Sequence, residues 1–518
     1  MKKYLDSVYK LAFKFMKYLS LFMSILLLVS AFIFTAYAED MGTQKVIIRL
    51  DNILINILEI VAFSLIIYGI CKWVSGDWQK RKKYLLCGVW LWYLLSGSVL
   101  VLFSKTVPAA DAMSVFACAA ELANGNMGVI HPTDSYLSFY PQQMGLISLY
   151  EIIIRIWNLF PISMPAYHII KLVNVLFACI IIFFQYKCVQ ILFKSHIADT
   201  IYLLLSLFHF PLLVYTSFVY GEIPSFALFT IGTWALLHLL KEEMSKQQCW
   251  SYVIVSIAAF CGSVAFRKNT LILMIAVFIV TFFESLRRKN IKLFALAVLY
   301  VSLSVMTLPC IQSFYEYRAG NELSKGVTAM SYFAMGMQEG GRAAGWYNGF
   351  NFNTYQKNGL DASAANELSR QVIEERITEF IENPVYAGQF YGEKFLSQWA
   401  DGTYACLQAT LATFGGRISF FQEVYEGKYS GIFREYCNAL QNIIYVGLLL
   451  FTVKTMKKKE AQGDLVKYLF MIGVVGGLLF HMIWEANSRY IFVYGLLLLP
   501  YAASGVEWIL NGKKMNNR

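Results

Sequence analysis

The chain has 518 residues, of which 58% are hydrophobic and only 15% charged, and its mean hydropathy is +0.52. Soluble domains carry about 25% charged residues, so a soluble enzyme, a fibrous protein and a disulfide scaffold are excluded, and the recurring apolar runs imply a multi-spanning membrane protein. The net charge is +11, but residues 312–437 hold ten Lys/Arg against fourteen Asp/Glu, a net of −4, which leaves +15 elsewhere in short clusters beside apolar runs. That is the positive-inside pattern of membrane topology and not a nucleic-acid-binding face.

In chain order, the first predicted span is 18–38, preceded by Lys2, Lys3, Lys10, Lys14 and Lys17. Ala36-Tyr37-Ala38 resembles a signal-peptidase site, but the apolar run is long for a signal core, so an uncleaved helix with its N-terminus inside is expected. Spans at 50–74 and 84–103 flank the basic run Lys72, Lys80, Arg81, Lys82, Lys83, which marks a cytoplasmic loop. Residues 104–143 are then external. Further spans are predicted at 167–186, 197–216, 225–240, 250–266, 270–284 and 291–311. After the polar segment come 439–453, 465–484 and 490–510.

Lys187 and Lys194, Lys241 and Lys246, Arg287 to Lys289, and Lys454 with Lys457 to Lys459 mark inside loops, and Lys513, Lys514 and Arg518 place the C-terminus inside. Parity then makes 144–160 an interfacial or re-entrant helix in which Glu151 and Arg155 are one turn apart. The expected fold is an all-α polytopic bundle of about twelve crossings. It divides into three N-terminal helices (1–103), a core with an external loop (104–311), an external α-rich domain (312–437) and three C-terminal helices (438–518). Within the external domain, 362–381 reads as a helix capped by Ser363, Asn383-Pro384 as a break and 385–399 as a second helix.

Most of the ten cysteines fall in apolar segments, and no Cys/His metal spacing, nucleotide-binding Gly motif or Ser/His/Asp set is present. Cys406 and Cys437 share the large polar segment, and no pairing between them is expected.

The unusual polar residues collect on the outer side. Asp111, behind Pro108, suits either a solvated helix start or a general base that accepts a proton from an attacking hydroxyl. Glu222 is wedged between two spans in Tyr220-Gly221-Glu222-Ile223-Pro224, where an acidic side chain is costly unless paired. Arg267 and Lys268 interrupt an apolar run on the outer side, against the charge bias, and suit a lipid-linked phosphate or headgroup snorkelling. Arg489 poses the same question, and Glu485 stands at i−4 from it, a spacing that fits a plain structural pair. The run from His131 through Tyr140, Gln142 and Gln143 mixes aromatic rings with hydrogen-bonding groups, as a sugar site does and as an interfacial belt also does.

In this order, Asp111 with Ala119, Leu122 and Gly125, then Tyr140-Pro141-Gln142-Gln143-Met144-Gly145, Tyr220-Gly221-Glu222-Ile223-Pro224, Arg267-Lys268-Asn269, Gly345-Trp346-Tyr347-Asn348 and Ser488-Arg489-Tyr490 resemble the C-type glycosyltransferase (GT-C) superfamily. The match is to the bacterial branch related to dolichyl-phosphate-mannose protein mannosyltransferases, and it runs from about Asp111 to Tyr501. The resemblance implies inverting transfer of a sugar from a polyprenyl-phosphate carrier to a hydroxyl acceptor at the outer face. It implies Asp111 as catalytic base, with Glu222, Tyr140, Gln142, Gln143 and His131 as substrate-binding groups. Arg267, Lys268 and Arg489 would steady the departing lipid phosphate. No metal or cofactor is implied; the partners are the lipid-linked donor, the acceptor and membrane lipids. The sequence departs from the family in having Ala112 rather than a second acidic residue after Asp111, in two extra early spans, and in an external segment that is no recognisable beta-trefoil. A Wzy-like polymerase and a lipid-linked-glycan flippase are the alternatives. The acidic balance of 312–437 counts against the polymerase, and the one-sided clustering of charges counts against the flippase.

Overall fold

The computed structural model describes residues 2–38, 45–241, 243–457 and 463–515. Lys458, Lys459 and Arg518 lie outside the described residues, as do the side chains of Lys2, Lys3, Lys80, Lys513 and Lys514. The fold is an all-α bundle whose one described sheet is a two-stranded ribbon. Eleven described helices are long and apolar enough to cross a membrane: Ser7–Ile33, Ile53–Val74, Arg81–Phe103, Ala166–Phe193, Glu222–Lys241, Lys246–Phe266, Lys268–Arg288, Ile291–Ala319, Tyr429–Lys457, Leu465–Ile483 and Ser488–Leu510. The expected span 197–216 is instead two pieces, His196–Leu207 and Phe210–Tyr215. Pro211 sits at the start of the second piece, where its missing N–H and fixed φ suit a new helix start.

The first span is shifted. Its helix starts at Lys2 and ends at Ile33, and the expected signal-peptidase-like site lies in a strand, Phe34–Ala38, paired antiparallel with Val46–Leu50 in the register Phe34 to Leu50. Thr35, Tyr37, Ile47 and Ile48 are β-formers, and the ribbon is tied to the external segment by Ala36 N–H to Ala400 O (2.9 Å) and Val46 N–H to Arg342 O (2.9 Å). Two membrane helices also overrun their expected ends into the polar segment, one to Ala319 past Pro309 and one starting at Tyr429. Tertiary bonds explain the first overrun: Tyr315 donates to Glu151, and Arg318 lies 3.5 Å from the same carboxylate.

Residues 144–157 form one helix, Met144–Trp157. Fourteen residues rise only about 21 Å, too short for a bilayer core. Glu151 accepts from Arg155 at 2.8 Å, and Tyr150 donates to Tyr220 O at 3.1 Å. In the external segment the helices Ala362–Glu382 and Pro384–Trp399 meet at the expected break. The first is capped by Asp361, which accepts from Ser363 N–H at 2.8 Å, so Ser363 is the residue bonded and not the cap. Cys406 and Cys437 are both free and buried.

Two glycines let the helix Met144–Trp157 and the loop after Tyr220 close on the end of the helix Lys246–Phe266. A Cβ on Gly145 would collide with the Ala265 carbonyl oxygen, and one on Gly221 would come within 2.5 Å of Phe266 O. Gly145→Ala is therefore expected to cost roughly 1–3 kcal/mol. Thermal unfolding in detergent should show the drop for Gly145→Ala and none for Gly69→Ala, where nothing lies within 4 Å.

Candidate functional site

Asp111 is the first residue of the helix Asp111–Ala123, and the turn before it is unusual. Ala110 has φ 47° and ψ −131°, a region an L-residue enters only when its surroundings force it. Those surroundings are visible. Val107 N–H bonds Ala412 O at 2.9 Å, Phe414 N–H bonds Lys105 O at 3.2 Å, and the buried ammonium of Lys171 donates to Thr106 O and, at 2.9 Å, to Thr106 Oγ1. The strand-like stretch before Asp111 is thus fixed from the external segment on one side and from a membrane helix on the other.

The Asp111 side chain is open to solvent, yet burial by surrounding protein pushes its pKa above the ordinary carboxylate range, with Arg489 opposing the shift and Glu222 adding to it. Asp111 is thus reachable from solvent and yet crowded by protein. Tyr136, Tyr140, Tyr220, Tyr347 and Glu485 all lie within electrostatic reach of it. These groups come from four separate stretches of chain and converge on one carboxylate.

Within electrostatic reach of Asp111 sits a buried ion cluster. Arg267 lies 2.8 Å and Arg489 3.6 Å from the same oxygen, Oε1, of Glu222. Both guanidinium groups also face the rings of Tyr220 and Tyr490, at 5.2 to 5.8 Å from the centroids. Two cations to one carboxylate leave an excess positive charge beside Asp111, held rigid by aromatic faces. A cavity of about 20 Å³, lined by Ser225, Arg267, Asn269, Thr270, His481 and Tyr490 among others, adjoins the cluster. It is large enough for about one water.

The other predicted residues divide. Tyr140 packs on Tyr136 with ring centroids 5.0 Å apart, and Gln143 donates to the Tyr220 hydroxyl at 2.5 Å, so both belong to the wall around Asp111. Glu222 is only 1% exposed and is the counter-ion of the two arginines. His131 accepts at Nδ1 from Asp134 N–H (3.1 Å) and Thr133 N–H (3.3 Å), a local loop cap with no recorded contact to the cluster. Gln142 is partly buried with no recorded side-chain bond, and Lys268 is exposed with no ion pair among the described residues.

Glu485 is the group the sequence reading missed. The helix starts at Ser488, so Glu485 precedes it and the i,i+4 geometry with Arg489 does not exist. Glu485 instead accepts from Tyr490 OH at 3.0 Å, while Arg489 turns to Glu222. The stretch is paired with the external loop: Ala486 N–H bonds Gly345 O at 2.8 Å, Trp346 and Ala486 form a parallel bridge, and Lys394 donates to Gly336 O. Gly345 has φ 71°, and a Cβ there would press on the Lys394 side chain. Burial pushes Glu485 up to about 7 and Lys394 down to about 7, each opposed by a nearby opposite charge. Only the Glu-Ala-Asn interruption between two apolar runs could have pointed to Glu485.

No family model matches the chain, and no curated protein matches it significantly. Among solved structures it is similar to the archaeal oligosaccharyltransferase AglB from Archaeoglobus fulgidus in complex with an inhibitory peptide and a dolichol-phosphate. The identity is 13% and the TM-score 0.46, over 86% of this chain and 52% of that one. It is also similar to the Archaeoglobus fulgidus oligosaccharyltransferase tethered to an acceptor peptide containing the NVT sequon, at 12% identity and TM-score 0.45, over 85% of this chain and 51% of that one. The chain spans about half the length of both. At that TM-score the likeness assigns neither an activity nor a substrate to this chain.

The raised pKa of Glu485 has a sign. Between about pH 4.5 and 7 the folded protein holds a proton that the unfolded chain releases, so this residue's contribution to stability falls as pH rises through that window. Glu485→Gln removes the loss. It should be more stable than wild type at pH 8, by about 3 kcal/mol at most, and equal to it at pH 4, as read by thermal unfolding in detergent at the two pH values.

Proposed function

We propose that the chain is an inverting glycosyltransferase of GT-C type, which moves a sugar from a polyprenyl-phosphate carrier to a hydroxyl acceptor at the extracytoplasmic face. The observation that carries this reading is Asp111: a solvent-reachable carboxylate beside a cluster of two arginines and one glutamate. Inverting transfer needs those two things in that proximity. Asp111 takes the proton of the acceptor hydroxyl as its oxygen attacks the anomeric carbon. The bond from that carbon to the phosphate oxygen breaks, and the electron pair leaves with the lipid phosphate, which Arg489 and Arg267 stabilise as its charge grows. Desolvation makes Asp111 a stronger base than a solvated carboxylate. The aromatic wall of Tyr136, Tyr140, Tyr220 and Tyr347 suits the apolar face of a sugar ring. The lipid-linked sugar is the co-substrate, and no step requires a metal or other cofactor. Mannose-like donors fit the resemblance of the sequence motifs.

In proteoliposomes given a radiolabelled polyprenyl-phosphate sugar, wild type should transfer label to a hydroxyl acceptor. Asp111→Asn should lose at least about 100-fold, the typical contribution of a positioned base, with normal insertion. Full transfer by the variant would end this assignment. Movement of the intact carrier between leaflets without transfer would instead mean a flippase.

The charge pattern supports cytoplasmic N- and C-termini and an extracytoplasmic site. Cysteines introduced at Lys268 and at Lys289 should be labelled from opposite sides of intact cells by an impermeant thiol reagent, above the native-cysteine background, Lys268→Cys from the outside. Labelling of both from one side contradicts the topology.

A further inference from the structure

At the far end of the bundle a cavity has chemistry unlike the Asp111 site. It measures about 480 Å³ and lies between the ends of three membrane helices, Ala166–Phe193, Glu222–Lys241 and Lys246–Phe266. The helix Glu222–Lys241 carries Glu222 at the ion cluster and Lys241 at this cavity. At 1.5 Å per residue those ends are about 28 Å apart, close to the thickness of a bilayer core. The cavity is therefore a separate site on the opposite membrane face.

Its wall has two parts. The first is an aromatic stack: His238 lies 4.7 Å from Tyr252 with rings nearly parallel and 5.0 Å from Trp234, which in turn packs at 5.1 Å on Phe184. The second is a cationic rim formed by Lys187, Lys194 and Lys241. Lys241 is committed to Asp464. Lys187 and Lys194 have no ion pair within 4.0 Å among the described residues, although Lys187 feels the charge of Asp199, whose carboxylate accepts from Gln190 at 3.3 Å. The ammonium of Lys187 lies over the Phe183 ring at 5.3 Å and the Tyr186 ring at 5.8 Å, so its stem and head are already placed.

Among the described residues, two further carboxylates toward this end are already paired, while Glu243, two residues after Lys241, is exposed. Glu284 is bonded by Tyr9, Arg287 and Arg288, and Glu507 by Lys454 and Ser195. A larger groove of about 670 Å³ elsewhere has a mixed acidic rim of Glu59, Glu435 and Lys428 and offers no comparable cationic surplus. A lysine rim above an aromatic floor at a membrane edge matches one kind of ligand: a phosphodiester headgroup whose acyl chains continue along the apolar helices.

We infer that this cavity binds the phosphate headgroup of an anionic glycerophospholipid, held by Lys187 and Lys194 over the Trp234–His238–Tyr252 stack. Its assignment to the inner leaflet rests on the charge topology proposed above; the pairing of cations with a phosphate does not. The site is independent of Asp111 and of the transferase reading.

Native mass spectrometry of the full chain, titrated with phosphatidylglycerol and separately with phosphatidylcholine, tests it. Wild type should retain one phosphatidylglycerol preferentially. The double variant Lys187→Gln/Lys194→Gln should lose that preference by about 10-fold or more, Lys187→Arg should keep it, and Lys289→Gln, a basic residue of another loop, should bind as wild type. Asp111→Asn should also bind as wild type, whatever becomes of transfer. Equal retention of the two lipids, an unchanged double variant, or an equal loss in Lys289→Gln overturns the proposal. So does complete displacement by millimolar inorganic phosphate, which would show an anion site with no lipid selectivity.

Discussion

A buried carboxylate in a membrane bundle must be neutralised or it does not fold in, and Glu222 sets the terms for much of this molecule. It is 1% exposed and draws two guanidinium groups to one oxygen. Removing one partner of such a cluster leaves a charge stranded in low dielectric, at about 3–5 kcal/mol. Three membrane helices are consequently pinned together at one level: Glu222 starts one, Arg267 ends another and Arg489 lies in the first turn of the C-terminal one. The tyrosines that surround the arginines complete the enclosure, since Tyr220 and Tyr490 each face both cations. The excess positive charge is then a geometric consequence of satisfying one acid with two bases.

Around this cluster, the site is built by close approach. Gly145 and Gly221 admit the carbonyls at the end of the helix Lys246–Phe266, which brings Arg267 alongside Tyr220. The Asp111 turn is held from the opposite side by Lys171 and by the pairing of 105–107 with 412–414. The strained backbone at Ala110 is the local cost of presenting a carboxylate at the head of a helix while the chain before it is clamped in extended form. Rigid placement of this kind is what a reacting carboxylate requires.

Much of the architecture was legible in the residues because its causes are local. Apolar runs near twenty residues give the spans without tertiary information. Asn383-Pro384 announces a helix break for the same reason, and Asn383 accepts from Tyr386 N–H to cap the second helix. The failures have long-range causes. The ribbon after the first helix owes its place to bonds with Ala400 and Arg342, hundreds of residues away. The break near His209 is confirmed as a break only by its neighbours: Tyr93 donates to both Ser206 O and His209 O, groups that a continuous helix would have bonded itself. For the site, charges that interrupt apolar runs pointed to Arg267, Arg489 and Glu222. Residue spacing then misled at Glu485, because i,i+4 pairing presumes a helix that starts three residues later. His131 looked chemically apt and is used by its own loop.

The order in which the ion cluster is made during synthesis follows from where its members lie in the chain. Glu222 and Arg267 emerge early and neutralise each other, so the first part of the bundle can enter the bilayer without an uncompensated charge at that level. Arg489 arrives only with the last helix, together with Glu485 and the edge that receives Trp346. The surplus cation of the cluster is therefore complete only once the last helix has been made.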